Sequence, residues 1–338
     1  MKVRKFANTP IVEDIGNGIL KFSLPQPFYA DNNIYIIQAE EPALIDSGFS
    51  QNLGLLQAAL QSVGLNLHKI KHIFYTHNHV DHISAALNIR FYSNARLYGM
   101  KGMAQGVGDY GEYMESFNRT IIRLLYKAIQ DTKIRTEKVE LERRNHREFM
   151  DSLVRTKKAD PILKMDTELV QGDVVSLGDR EVGFLHTPGH NSWHLTPYIL
   201  GEGLYFTGDL VLENISAIFS ELDGNLEEYH NSLERLLQIP IKRLFPAHGE
   251  EPQKPHHKIR LLKKTLSIME RGVIRRLKEK SYDLDQMVLE SMGEKVQKSG
   301  FYVIALAVIH SILCKLQDQG HVHVNEIDPP YETYSWID

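Results

Sequence analysis

One short stretch constrains this chain more than any other, because Thr76-His77-Asn78-His79-Val80-Asp81-His82 places four ligand-type side chains within six residues. It directly follows the mostly apolar run 70–75, so it begins where a buried strand is expected to end. In an extended or turning loop, side chains two positions apart project to the same side. His77 and His79 can therefore reach one ion, while Asp81 and His82 turn towards a second. A dinuclear metal site explains this stretch better than a polar loop that happens to contain histidines.

Further ligand-type residues follow downstream, each placed just after a short apolar run. They stand in Thr187-Pro188-Gly189-His190, in Gly208-Asp209 and in Pro246-Ala247-His248-Gly249. Glycine and proline in these segments indicate tight turns at strand ends. A strand that ends in a turn with one ligand is thus repeated along the chain, and the repetition supports the first motif. Imidazoles with carboxylates suit zinc, with iron or manganese as alternatives.

On these motifs, together with Asp46 in Ala43-Leu44-Ile45-Asp46-Ser47-Gly48, the sequence resembles the metallo-β-lactamase-fold hydrolases. Members of that family include glyoxalase II-type thioesterases, lactonases, phosphodiesterases and nucleases. The order and spacing follow the family pattern over about residues 15 to 250. The resemblance implies an α+β four-layer αββα sandwich, to which this chain adds a helical insertion and a small C-terminal helical, winged-helix-like module.

The resemblance also assigns roles to the candidate residues. It implies two divalent metal ions bridged by Asp209, the first held by His77, His79 and His190 and the second by Asp81, His82 and His248. Asp46 would be a buried carboxylate that braces the ligand loops rather than a ligand. His194 matches another recurrent histidine of the family, but Trp193 stands where many relatives have glycine. That departure leaves the role of His194 open.

Composition narrows the class of protein further. The 338 residues are enough for one large α/β domain and an appendage, and the net charge of −4 creates no global field towards nucleic acid or an anionic membrane. No run approaches the roughly 18 apolar residues of a membrane span, and the basic start lacks the apolar core of a signal peptide. The single cysteine, Cys314, fits a reducing cytoplasm. We expect a cytoplasmic enzyme.

Strand-like segments alternate with single helices over most of the chain, among them helices predicted over 50–65 and from about Ile83, which favours a layered domain. Residues 321–324 are expected to form a short hairpin arm. We place a hydrolase domain at residues 1–255 and the winged-helix-like module at 256–338. Between about 99 and 164 the pattern changes to two or three helices, with apolar residues at helical spacing from Tyr113 to Ile129. This insertion is either a spacer that packs on the edge of the fold or a lid beside the metals. The loop after Asp209 offers Leu212, Ile218 and Phe219 as candidate walls for an apolar substrate.

The C-terminal module resembles the winged-helix module that some relatives carry, one of them an endoribonuclease. Its candidate recognition helix, residues 301–316, has no Lys or Arg before Lys315, whereas a surface that follows phosphates needs cations. Nucleic acid is therefore a disfavoured partner. The apolar residues of the module and of the insertion need cover, so we expect them to pack over the rim of the cleft and the protein to be a homodimer.

The chemistry follows from two ions about 3.5–4 Å apart, which can lower the pKa of a shared water from about 15.7 towards about 7. We expect the bridging hydroxide to attack a small ester, thioester or lactone, with Asp81 as the catalytic residue that receives a proton. The alternative is a nuclease or phosphodiesterase acting on RNA or another phosphodiester. A non-enzymatic metal-binding or scaffold protein is a third class, which seven intact ligand positions disfavour.

Overall fold

The computed structural model describes residues 9–26, 30–154, 161–213, 223–299, 301–328 and 331–337. Its first sheet has seven strands that pair in sequence order, antiparallel up to the fourth strand and parallel from there on. These strands are β1 (Glu13–Asp14), β2 (Ile19–Leu24), β3 (Asn32–Ile37), β4 (Ala43–Ile45), β5 (His72–Phe74), β6 (Arg96–Met100) and β7 (Thr167–Leu169).

The second sheet has five strands in the order β12-β11-β10-β9-β8, and only β11 and β12 run parallel. The strands are β8 (Val174–Ser176), β9 (Glu181–His186), β10 (Leu195–Ile199), β11 (Leu204–Gly208) and β12 (Arg243–Pro246). The two sheets pack face to face through aromatic side chains, with Phe74 5.1 Å from Phe184 and Tyr35 5.5 Å from Phe206 between ring centroids. Aromatic pairs at such distances stabilise the contact between the sheets through the apolar area that they bury and through the favourable arrangement of their rings.

Helices cover the outer faces of both sheets and complete the four layers. On the first sheet lie α1 (Leu53–Ser62), α2 (Val80–Ile83), α3 (Ala86–Ile89) and α4 (Met103–Val107), whose apolar residues share one core with that sheet. On the second sheet lie α7 (Leu226–Leu237) and α8 (Pro255–Glu279), which share a separate core with it. The expected α+β sandwich of the metallo-β-lactamase fold is thus confirmed.

Several element boundaries differ from the sequence prediction. The helix expected from about Ile83 begins at Val80, inside the ligand motif, and is followed by a second short helix. The amide of Ile83 bonds to the carbonyl of His79, so Asp81 and His82 lie on a helical turn and not in an extended loop. Strand β7 was not predicted, and the helix expected over 50–65 opens with the 3₁₀ turn Ser50–Asn52 and ends at Ser62.

The insertion contains α4 and two long helices, α5 (Tyr110–Ala128) and α6 (Thr132–Val154). The last part of the expected apolar stripe of α5 is covered within this chain, because Leu124, Leu125 and Ile129 share a core with the second sheet and the C-terminal segment, whereas Phe117 and Ile121 are half-buried. Burial of such side chains stabilises by about 1.5–3 kcal/mol each. The homodimer was expected partly because this stripe needs cover. The covered part of the stripe weakens that reason, and the dimer stays a prediction.

The C-terminal segment forms α8, β13 (Tyr282–Asp283), α9 (Leu284–Met292), α10 (Tyr302–Asp318), β14 (Val322–Asp328) and β15 (Tyr331–Trp336). The strands form a small antiparallel sheet in the order β13-β15-β14, larger than the expected short hairpin arm at 321–324. Its core is continuous with that of α7 and the second sheet. The division at residue 255 and the winged-helix identity both stay predictions. None of the described helices is long and apolar enough to cross a membrane.

Candidate metal centre

The ligand-type residues meet where strand ends of both sheets come together. The motif at 77–82 follows β5, His190 follows β9, Asp209 directly follows β11 and His248 follows β12. Glycine permits the close approach at Gly208, which has a φ of 47°, because a Cβ there would lie 2.7 Å from Nε2 of His194. This residue type at this turn therefore allows the chain to bring Asp209 into the centre.

The first group of candidate ligands consists of His77, His79, His190 and Asp209, whose ligand atoms lie within 4.8 Å of one another. Nδ1 of His79 and Nε2 of His190 are 3.0 Å apart, and Oδ2 of Asp209 is 3.7 Å from Nε2 of His190. These residues come from three separate stretches of the chain. They are the residues that the family resemblance assigned to the first metal, together with the expected bridge.

The second group consists of Asp81, His82 and His248, again with ligand atoms within 4.8 Å. Nε2 of His248 lies 3.2 Å from Oδ2 of Asp81, and Nε2 of His82 lies 3.6 Å from its Oδ1. Asp209 also faces this group, since its Oδ1 is 3.4 Å from His248 and 3.6 Å from His82. One carboxylate thus directs one oxygen to each group. That both groups bind metal stays a prediction.

The donor set fits two divalent ions. Nε2 of His77 and Nε2 of His82 are buried and have no hydrogen-bond partner among the described residues, which is costly unless something else satisfies them. Burial and the neighbouring histidines hold the pKa of His77 well below its usual range. A neutral imidazole is the form that binds a metal. Nitrogen and oxygen donors in this combination suit ions such as zinc.

Asp46 makes the bracing contacts that were expected of it. Its carboxylate accepts hydrogen bonds of 2.8 Å from the amide and the hydroxyl of Thr76 and from Nδ1 of His82. The hydroxyl of Thr76 in turn lies 3.0 Å from Nδ1 of His77. Both imidazoles therefore use Nδ1 outside the centre and present Nε2 to it, which is how partners beyond the ligands orient them.

His248 is oriented by the backbone. Its Nδ1 lies 3.1 Å from the carbonyl oxygens of Ala30 and Asp31, so Nε2 faces the centre. Next to these residues, the side-chain amide of Asn32 donates to the carbonyl oxygen of Asp81. The carbonyl oxygens just before β3 thus orient His248, and Asn32, the first residue of β3, holds the backbone of Asp81.

The partner of His79 is Asp223, a residue that the sequence motifs did not indicate. Nε2 of His79 lies 2.8 Å from Oδ2 of Asp223, and Asn191 donates to the same oxygen at 2.8 Å. Tyr113, from helix α5, is 3.5 Å away from that oxygen. Asp223 is 144 residues from His79 in the chain, and no local motif marks it. Only its position in the sequence, 14 residues after Asp209, could have suggested it.

His194 and Trp193, in the turn at residues 191–195, pack against neighbouring parts of the fold. His194 belongs to neither group of candidate ligands. It is buried, with Nδ1 2.9 Å from the hydroxyl of Thr187, and burial holds its pKa well below the usual range. Trp193 packs against α4, since a Cβ at Gly106 would lie 2.3 Å from its ring. The bulky residue therefore joins this turn to the insertion.

Of the three candidate walls for an apolar substrate, the described residues include only Leu212. Leu212 is buried, so in this structure it packs in the interior and does not form an open wall. Ile218 and Phe219 lie outside the described residues. The surface histidines of the C-terminal segment make other contacts, for example His321, which stacks on Trp336 with ring centroids 5.2 Å apart.

The amino-acid sequence was also compared with those of known proteins. The sequence model of the Metallo-beta-lactamase superfamily matches residues 30–248. The "Beta-lactamase-like protein 2 homolog" of Drosophila melanogaster is 28% identical over 146 residues, 43% of this chain and 48% of that protein. The "Probable metallo-hydrolase YqjP" of Bacillus subtilis is 25% identical over 243 residues, 69% of this chain and 72% of that protein. The chain thus spans about half the length of the first of these relatives.

A shorter match joins the chain to an "Acyl-coenzyme A thioesterase" of Gallus gallus, 29% identical over 92 residues, 26% of this chain and 33% of that protein. Among solved structures, a metallo-beta-lactamase family protein from Thermus thermophilus superposes with a TM-score of 0.76 at 19% identity. That likeness covers 96% of this chain and 100% of the other. At this level of identity, it establishes the fold alone.

Proposed function

Because this chain belongs to the metallo-β-lactamase superfamily, with residues 30–248 matching its sequence model, we propose that it hydrolyses small esters, thioesters or lactones with two metal ions. The observation that carries the proposal is the pair of ligand groups on either side of Asp209. Five imidazole nitrogens and two carboxylates form this set. It favours zinc, with iron or manganese as alternatives.

When bound, two divalent ions lower the pKa of a water and polarise the carbonyl that it attacks. The chain itself supplies the positions and the proton acceptor. Asp81 is the proposed acceptor of the proton released when the oxygen of water bonds to the substrate carbon. Burial raises the pKa of Asp81, but the nearby His82 and His248 outweigh burial and hold that pKa below its usual value. An ionised carboxylate can accept the proton.

The orientation of the imidazoles is the second contribution of the chain. Asp46 and Thr76 hold His77 and His82, while the carbonyl oxygens of residues 30 and 31 hold His248. Imidazoles that are already held in position need no rearrangement during the reaction, and such preorganisation lowers the activation free energy.

The ester-type substrate is supported by the relative named as an acyl-coenzyme A thioesterase and by the character of the C-terminal segment. Helix α10 is largely buried, and its single basic residue, Lys315, is 2.6 Å from Glu270. An ion-paired lysine on a buried helix gives little attraction to phosphates. The nuclease or phosphodiesterase therefore stays the second candidate.

The test is turnover on a panel that contains acyl thioesters, lactones and an activated phosphodiester. Protein stripped with a chelator and then reloaded with zinc should hydrolyse a thioester or lactone, and the stripped protein should not. Asp81→Asn should keep the ion of the first group, weaken the ion of the second, and hydrolyse at least about 100-fold more slowly, since general base catalysis contributes about 10²–10⁴-fold. Turnover of the phosphodiester alone, with RNA binding that weakens steeply as salt increases, would replace this proposal with the nuclease.

A further inference from the structure

A closed ring of hydrogen bonds lies beside His79, outside the two ligand groups. Asn191 uses both hydrogens of its side-chain amide, one to Oδ1 of Asn78 at 2.5 Å and one to Oδ2 of Asp223 at 2.8 Å. Asn78 donates to the hydroxyl of Tyr113 at 2.7 Å, and that hydroxyl faces Oδ2 of Asp223 at 3.5 Å. We call these four residues the Asp223 ring.

The direction of each hydrogen bond in the ring is fixed by the donors available. The amide oxygen of Asn191 accepts from the backbone amide of Trp193 at 2.9 Å, so its nitrogen must face Asn78 and Asp223. Because Asn78 accepts through its oxygen, its nitrogen donates to Tyr113, and the hydrogen of Tyr113 is left for Asp223. The carboxylate thus only accepts, and His79 must donate from Nε2. In the neutral imidazole that binds a metal, Nδ1 of His79 is then the unprotonated nitrogen, and it faces the first ligand group.

Tyr113 is the member of the ring that comes from the insertion, and its helix is held at both ends. At the start of α5, the side chain of Asp109 accepts from the amide of Glu112 at 3.0 Å, and the amide of Tyr110 donates to the carbonyl of Pro161 at 2.8 Å. Towards the other end, Lys127 is 3.0 Å from Glu332 of strand β15. A helix fixed in this way can hold a hydroxyl at a defined position.

We propose that Tyr113 is a positioning residue for His79, acting through the Asp223 ring, so that the insertion sets the geometry of the first ligand group. The inference rests on the proposed function, because it takes His79 as a metal ligand. It also gives the insertion a role that differs from both a spacer and a lid. Partners beyond the ligands of a metal-bound histidine affect metal affinity or activity by about 10–100-fold.

The experiment measures Co²⁺ binding to the metal-free chain, by competition with a chromophoric chelator and by the visible absorption of the bound ion. Asp223→Asn replaces the acceptor of His79 and should weaken one of the two ions by about 10–100-fold. Tyr113→Phe removes only the hydroxyl and should weaken the same ion by up to about 10-fold, with a changed absorption spectrum. The second ion should bind in both variants as in the unaltered chain.

The matched control is Tyr126→Phe, which removes a hydroxyl from the same helix. The aromatic ring of Tyr126 lies under Arg135 and not in the Asp223 ring. Its affinity and spectrum should equal those of the unaltered chain. A Tyr113→Phe variant with the affinity and spectrum of Tyr126→Phe would overturn the positioning role, and this variant decides the matter alone if Asp223→Asn does not fold. An unaltered chain that binds no Co²⁺ would instead refute the proposed function.

Discussion

The two histidines His82 and His79 each use one ring nitrogen outside the candidate metal centre, but their partners come from different parts of the molecule. His82 donates to Asp46, which directly follows strand β4 of the first sheet. His79 donates to Asp223, which lies before α7 and is linked to the insertion through Tyr113. The first sheet therefore supplies one brace, and the insertion completes the other.

The two braces also differ in exposure to solvent. The side chain of His82 is 0% exposed and that of Asp46 is 2% exposed, whereas the side chain of His79 is 23% exposed. If a partner is removed, water can reach His79 but not His82. A buried donor without a partner costs about 1–3 kcal/mol, while an exposed one costs much less. The core brace should thus support both folding and metal binding, and the brace at the insertion mainly metal binding.

The largest effect is expected where the two groups meet. Asp209→Ala should lose most of both ions, since its carboxylate faces both groups and offsets the repulsion between two cations. His248→Ala should lose mainly the ion of the second group. Metal content after gel filtration measures both outcomes. Equal content in Asp209→Ala and the unaltered chain would mean that Asp209 is not a ligand.

The next effect separates the two braces through folding stability. Asp46→Ala should lower the free energy of unfolding of the metal-free chain by about 3–5 kcal/mol, because it leaves the amide of Thr76 and the imidazole of His82 without an acceptor. Asp223→Ala should lower it by less, about 1–3 kcal/mol, since His79 can bond to water and only the buried amide of Asn191 is left without an acceptor. Denaturant unfolding of both variants provides the comparison. Equal losses would contradict the distinction drawn from exposure.

The sequence predicted Asp46 and the candidate ligands because each lies in a short local motif. His77 to His82 follow one strand, and His190, Asp209 and His248 each follow another, so strand ends at one edge predict a shared site. The extended or turning loop expected for Asp81 and His82 was wrong in detail, since a helix begins at Val80. The residues still reach one centre because the turn is short.

The brace at the insertion could not be predicted in this way. Asp223 stands between Glu221 and Gly224, a pattern more typical of a solvated turn, and its contact with Tyr113 joins residues 110 positions apart. Helical spacing placed Tyr113 on a helix but not against the centre. Strand β7, Thr167–Leu169, was missed for a similar reason, because three residues with one buried apolar side chain carry no clear alternation.

The smallest effect concerns the far end of α5, about 21 Å along the helix from Tyr113. Lys127→Met should lower the free energy of unfolding by about 1 kcal/mol, because the carboxylate of Glu332, 11% exposed, loses its cation but keeps the hydroxyl of Tyr334. The double variant Lys127→Met/Glu332→Gln should be less destabilised than the sum of the single variants. Thermal unfolding measures this coupling. Strict additivity would show that the pair does not hold the insertion to the C-terminal segment.

Metal stoichiometry tests the central claim most directly. Elemental analysis of the chain purified without chelator should find two ions per chain, predominantly zinc. His77→Ala and His82→Ala should each remove one ion, and His321→Ala, at a histidine that stacks on Trp336, should remove none. Two ions that depend on these two residues would support a dinuclear hydrolase. An unaltered chain that holds no transition metal, even after incubation with zinc, would contradict it.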